Sequence, residues 1–181
     1  MEQFNAIFEY LPAHCMAVCK PHKQGIVKAQ LQTHLDTKHQ ELVPRTRRNI
    51  VSAVRQNTSL QPWAMEEDDV IYPGPASTPL PHLPVYQNGL QCRECGRIYR
   101  HIKRMQEHCR QQHGWKGRNQ AAAAGRPAGR HHTMWTTRVV CQKFHSTSRL
   151  GQLFQVSAAT EIRQAADPDV DVSQAIEMSL T

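Results

Sequence analysis

Residues 92–113 read CRECGRIYRHIKRMQEHCRQQH, and the metal-binding residue types in this run are spaced Cys92-x2-Cys95-x12-His108-x4-His113. That spacing falls within the range of Cys₂His₂ fingers, and geometry accounts for it. A two-residue gap between cysteines lets a tight hairpin turn aim both sulfurs at one ion. Histidines four or five positions apart share one face of a helix. The intervening twelve residues complete the hairpin and begin that helix. Such a unit also needs a minimal apolar core beside its ion. Tyr99 after the turn and Met105 before the first histidine occupy the expected places, with Ile98 and Ile102 as supplements.

A looser cluster lies upstream, at Cys15-x3-Cys19-x14-His34-x4-His39. Leu31 stands three positions before His34, as Met105 stands three before His108, and Ile26 or Val27 can fill the other core place. His14 and His22 are close by and leave this ligand set open. The expectation is two structural Zn²⁺ ions, one on Cys15, Cys19, His34 and His39 and one on Cys92, Cys95, His108 and His113. Four protein ligands close a zinc site, so no position remains for an activating water. Folding should depend on the metal. Cys109 and Cys141 are left over and read as ordinary small thiols.

The remainder of the chain fits small metal-held units better than one large core. Hydrophobic residues make up 39% and aromatics 6% of 181 residues, with 11 Pro and 9 Gly. Units this small bury too little surface to stand without a staple. The expected fold class is a small zinc-stabilised α+β protein with two separated ββα-type fingers, a short C-terminal β element and flexible linkers. Its parts are a first finger and helix over 1–57, a proline-rich acidic linker over 58–88 and a second finger over 89–115. A basic low-complexity spacer over 116–134, a β-hairpin block over 135–157 and an acidic tail over 158–181 complete it. Met1-Glu2-Gln3-Phe4 is acidic where a secretory signal is basic, and no run approaches the length of a membrane span. An intracellular chain with no membrane partner is therefore expected.

The net charge of +7 is unevenly placed. Residues 1–90 hold eight Lys/Arg and eight Asp/Glu, whereas residues 91–150 hold thirteen bases against Glu94 and Glu107, a net of +11. Residues 151–181 carry Arg163 against five acids, a net of −4. A basic block of this kind suits a polyanion, although a solvated surface has the same composition. Counting back from His108 puts His101, Arg104 and Glu107 at the base-facing positions of a DNA-reading finger. Arg97, Arg100, Lys103 and Arg110 would then reach phosphates. Residues 40–91 separate the two ligand sets, far more than the few residues that join tandem fingers along a groove.

The chain has a further set of features around the second cluster. Pro79-Leu80-Pro81-His82-Leu83-Pro84-Val85 leads into Asn88-Gly89-Leu90-Gln91-Cys92-Arg93-Glu94-Cys95. Arg104-Met105-Gln106-Glu107-His108-Cys109, His113-Gly114-Trp115, Val139-Val140-Cys141-Gln142-Lys143-Phe144 and Leu153-Phe154-Gln155-Val156 follow. This succession, over roughly residues 10–157, resembles the fungal family named after the orsellinic acid biosynthesis cluster protein D. The resemblance implies paired Cys₂His₂-type fingers joined by a proline-rich segment and closed by a short Cys-Gln-x-Phe block. It also implies a regulatory or accessory protein associated with a secondary-metabolite gene cluster, and it fixes no mechanism.

The function expected is therefore nucleic-acid binding, to DNA or RNA, by a nuclear regulatory protein. The alternative is a protein–protein adaptor working through its fingers and its acidic end. Asp167, Asp169 and Asp171 precede Val172-Ser173-Gln174-Ala175-Ile176-Glu177-Met178-Ser179-Leu180, a weak resemblance to the ubiquitin-interacting motif. No paired carboxylates, nucleophile–base set or open metal site is evident, so neither an enzyme nor a small-molecule substrate is expected.

Overall fold

The run Met16-Ala17-Val18-Cys19 is apolar and buried at every position. Alternate residues of a strand point to opposite faces, so such a run must be covered on both sides. In the computed structural model, which describes residues 1–116, 134–146 and 149–157, this run is strand β2 (Met16–Cys19). It is the centre of an antiparallel sheet, between β1 (Phe8–Leu11) and β3 (Gln24–Ile26). Ala17 and Cys19 join one core, with Phe4, Phe8, Ile26, Leu35 and Ile50. Met16 and Val18 join another, with Val27, Val70, Leu83, Phe144 and Phe154.

Three helices close the first core: α1 (Glu2–Ile7), α2 (Leu31–Lys38) and α3 (Pro44–Gln56). Pro44 suits the first turn of α3, where its fixed φ is helical and its missing N–H goes unused. Ile50, Val51 and Val54 form the inward face of α3, while Arg45, Arg48 and Arg55 stay exposed. Trp63 seals the end of this core against Phe4 and Tyr10, and its Nε1–H donates to the Ile26 carbonyl at 3.1 Å.

The second sheet runs β5-β4-β6-β7, from β4 (Tyr86–Cys92), β5 (Ile98–Tyr99), β6 (Trp135–Gln142) and β7 (Phe154–Gln155). Helix α4 (Ile102–His113) packs Met105 and Cys109 against Cys92 and Trp135, and Gly114 ends it in the left-handed region at φ 64°. The strands β4 and β6 leave no room for a side chain at Gly89, where a Cβ would lie 2.5 Å from the Val139 carbonyl oxygen.

The small α+β class holds, but the two units that carry the Cys/His groups are not separate. The proline-rich segment 58–88, expected as an extended linker, packs inward through Trp63, Ala64, Val70 and Leu83. Its backbone is also tied in: Ala64 N–H donates to Cys15 O at 2.7 Å, and Lys28 N–H donates to Ala64 O at 2.8 Å. Prolines remove donors from such a segment, so its carbonyls need partners from elsewhere. Gln142, fully buried, supplies them. Its amide nitrogen donates to Leu80 O and Leu83 O, both at 3.0 Å, and its Oε1 accepts Leu80 N–H at 2.7 Å.

The block 135–157 does contain two antiparallel strands, with Cys141 opposite Gln155 and Gln142 opposite Phe154. It is more than a local hairpin, because β6 also covers the free edge of β4. Beyond it, the Phe144 carbonyl accepts Gly25 N–H at 2.6 Å, and Phe144, Leu150, Phe154 and Val156 fill the second core. A two-stranded hairpin leaves an unpaired edge, and here a distant strand satisfies it. Most of the basic spacer and all of the acidic tail, with its expected helix, lie outside the described residues. Among the described residues no helix is long and apolar enough to cross a membrane.

Candidate metal centres

The donor atoms of Cys92, Cys95, His108 and His113 lie within 4.8 Å of one another. Cys92 ends β4, Cys95 sits in the turn to β5, and both histidines are on α4. Gly96 closes the turn at φ 73°, donating its N–H to Cys92 O at 2.9 Å. Cys95 Sγ is 3.2 Å from His108 Nε2 and 3.4 Å from His113 Nε2. A tetrahedral ion with sulfur at about 2.3 Å and nitrogen at about 2.0 Å needs S···N edges of about 3.5 Å. The two edges from Cys95 lie close to that value, and the remaining donor atoms are within 4.8 Å of one another. Of the expected core residues, Met105 and Ile98 are buried and Tyr99 leans on His108 at 5.4 Å, but Ile102 is 46% exposed and packs no core.

Burial, reinforced by His113 and Arg97, lowers the pKa of His108 and favours the neutral ring that a metal requires. Cys109 is the counter-case. Burial and the neighbouring Cys92 push its thiol up to about 11, and it packs on Met105 as a neutral group.

The first centre differs from its expected ligand set. The converging residues are Cys19, His22, His34 and His39, and Cys15 is not among them. Cys15 sits just before β2 with a left-handed φ of 53°, and its side chain joins the opposite core, near Pro12 O. His14 is engaged elsewhere, its Nδ1 lying 2.8 Å from Ile71 O. The residues that converge follow the frame Cys19-x2-His22-x11-His34-x4-His39. The two-residue gap from Cys19 to His22 was the available signal, hidden by the assumption that a metal-binding turn carries two cysteines.

Cys19 Sγ lies 3.2 Å from His22 Nδ1 and 3.3 Å from His39 Nε2. His34 Nε2 is buried without a hydrogen-bond partner, the state expected of an atom reserved for an ion. The outer nitrogens are held as metal-ligating histidines require. His39 Nδ1–H donates to Glu41 Oε1 at 2.9 Å, and the Gln24 side-chain amide sits 3.0 Å from His34 Nδ1. Burial, with smaller electrostatic contributions from nearby His39 and His22, lowers the pKa of His34 to about 4, so its ring is neutral at neutral pH. Burial raises the Cys19 thiol, the hydrogen bond with His22 opposing it. A cation would reverse that preference and hold the thiolate. Both groups of residues fit a metal ion.

The cationic side chains expected to meet nucleic acid are distributed around the second centre. Arg97, Lys103, Arg104 and Arg110 are exposed, as is His101, the N-cap of α4. Arg104 and Glu107 face each other at 3.7 Å. Arg100 is committed within the protein: its guanidinium stacks 3.7 Å over the Tyr86 ring and its Nε–H donates to Asn88 Oδ1 at 2.9 Å.

A family model described as "Orsellinic acid/F9775 biosynthesis cluster protein D" matches residues 6–114, a span that holds both centres and ends before β6. The curated protein of that description from Emericella nidulans is 32% identical over 110 residues. The alignment takes in 60% of this chain and 20% of that relative, so the chain spans about a fifth of the length of the protein it matches. No solved structure matches. With more than half its residues inside the family model and both Cys/His groups within that span, the chain belongs to the orsellinic acid biosynthesis cluster protein D family.

Proposed function

We propose that this chain is a zinc-held, non-enzymatic regulatory protein that binds nucleic acid beside its second metal centre and acts in the nucleus. Thiolate and imidazole donors in tetrahedral array suit Zn²⁺. Four protein donors at each centre leave no open position, which favours a structural role for both ions. The observation that carries the reading is the set of exposed cations around the second centre: Arg93, Arg97, Lys103, Arg104 and Arg110. The relative's description names orsellinic acid/F9775 biosynthesis. On that kinship the chain serves a fungal secondary-metabolite gene cluster as a regulator or accessory factor.

Fluorescence anisotropy of zinc-loaded protein with labelled DNA and RNA over a salt series tests the reading. The expected result is binding that weakens as salt rises, with a slope reduced by about 2 when Arg97, Lys103 and Arg104 are changed together to Ala. Absence of binding at low salt would favour the alternative, a protein–protein adaptor.

A further inference from the structure

Resting on that reading, we infer that the ligand is a single strand, held in a cleft between α4 and the C-terminal block, rather than a duplex read in its major groove. Two adjoining cavities of about 930 and 870 Å³ lie along this cleft and share Tyr72, Arg97, Tyr99, Arg104 and Leu153. The face of α4 that a duplex-reading unit would place against bases is one wall. His101, Arg104 and Glu107 all line it. The opposite wall is protein: Tyr72, Pro73 and Pro75 from the packed proline-rich segment, and Gln152 to Gln155 around β7.

A B-form major groove must admit the whole helix across its width of about 12 Å, with both flanks of the helix free. Here one flank is opposed by residues 72–75 and 152–155, and β4 is paired on both edges, by β5 and β6. The unit is built into a larger body, which stands beside the face of α4 that a groove would have to admit. The same cleft has what a single strand uses. Arg97, Arg104 and Lys143 line it, with Arg100 held on Tyr86, against Glu67 and Glu107, while Arg149 and Asp68 neutralise each other. The half-buried rings of Tyr72, braced on Phe144 and Phe154, and of Tyr99, braced on His108, also line it, and bases stack on aromatic side chains of this kind.

The test compares zinc-loaded full chain on a labelled single strand of about 12 nucleotides with the same sequence as duplex, at one salt concentration. The single strand should bind about tenfold tighter. Lys143→Glu with Gln152→Glu, neither of them a metal donor, should weaken single-strand binding about fivefold or more, as should Arg104→Glu on the facing wall. Circular dichroism and retention of both ions verify that each variant is folded. Equal or tighter binding of duplex overturns the inference and leaves nucleic-acid binding standing. Unchanged single-strand affinity in the Lys143/Gln152 variant also overturns it. Failure to bind either form removes the parent reading together with this one.

Discussion

Lys23 and Gly96 hold the same station in two separate turns. Each lies in the left-handed region, at φ 53° and 73°, and each returns its N–H to the carbonyl of the first metal-binding cysteine, Cys19 or Cys92, at 2.8 and 2.9 Å. The residue just before each is a donor, His22 in one turn and Cys95 in the other. The two centres are thus built on one turn geometry with a different second ligand. A Cys/His₃ set carries one thiolate where the other carries two, so a divalent ion at the first group would have less of its charge compensated.

The ligand assignment is directly testable by native mass spectrometry. Wild-type protein should carry two Zn²⁺, and His22→Ala should carry one. Cys15→Ser should keep both, losing only some packing in the second core. One ion in Cys15→Ser with two in His22→Ala would reverse the assignment.

Metal removal should have unequal effects. The first core retains Phe4, Phe8, Leu35 and Ile50 around its centre, whereas the cluster under α4 is smaller, with Cys92, Met105, Cys109 and Trp135 buried and Leu90, Tyr99, Trp115 and Met134 half-buried at its edge. A chelator titration followed by hydrogen exchange should expose α4 before α2 and α3 if the two ions leave at similar chelator strength. Protection lost first in α3 would contradict this packing argument.

Acid should release metal and stability together. An unfolded histidine titrates at about 6.5, whereas folded His34 takes its proton only at about 4. Above the unfolded value both states are neutral and stability is complete. As pH falls through the interval, the unfolded chain gains a proton that the folded chain refuses, so stability declines. Urea midpoints measured from about pH 7.5 to 4.5 should fall monotonically, and a flat profile would exclude the contribution.

Gln142→Leu should be costly although leucine is apolar and similar in size. It removes the acceptor for Leu80 N–H and the donor for two carbonyls. Buried backbone groups left unpaired cost roughly 1–3 kcal/mol each, so a loss of about 3 kcal/mol is expected in urea unfolding. A change under about 0.5 kcal/mol would show that water replaces the amide.

Gly89→Ala should strain the join between β4 and β6. The new Cβ would meet a backbone oxygen, Val139 O, at 2.5 Å, and backbone has little room to yield. A drop of about 2 kcal/mol is expected, together with weaker metal retention at the second centre, because Cys92 ends the same strand. An unchanged melting temperature would mean that the strands separate without penalty.

The sequence by itself brought together the four Cys/His donors of the second group. Its donors, turn, helix and Met105 contact are all local, and fixed spacings in one short run leave few other geometries. It also placed His34, His39 and Leu31 in the first centre, since these follow helical periodicity on α2. Only the tertiary structure decided the rest. Whether Cys15 or His22 completes the first site depends on where β2 begins and which core Cys15 enters. That choice is made by Phe144, Phe154 and the proline-rich segment, far away in the chain. The joining of the two units had the same origin. A proline-rich run and a short β block carry no periodic signal, and their partners are set by an open strand edge and by the buried amide of Gln142, both of which exist only once the chain has folded.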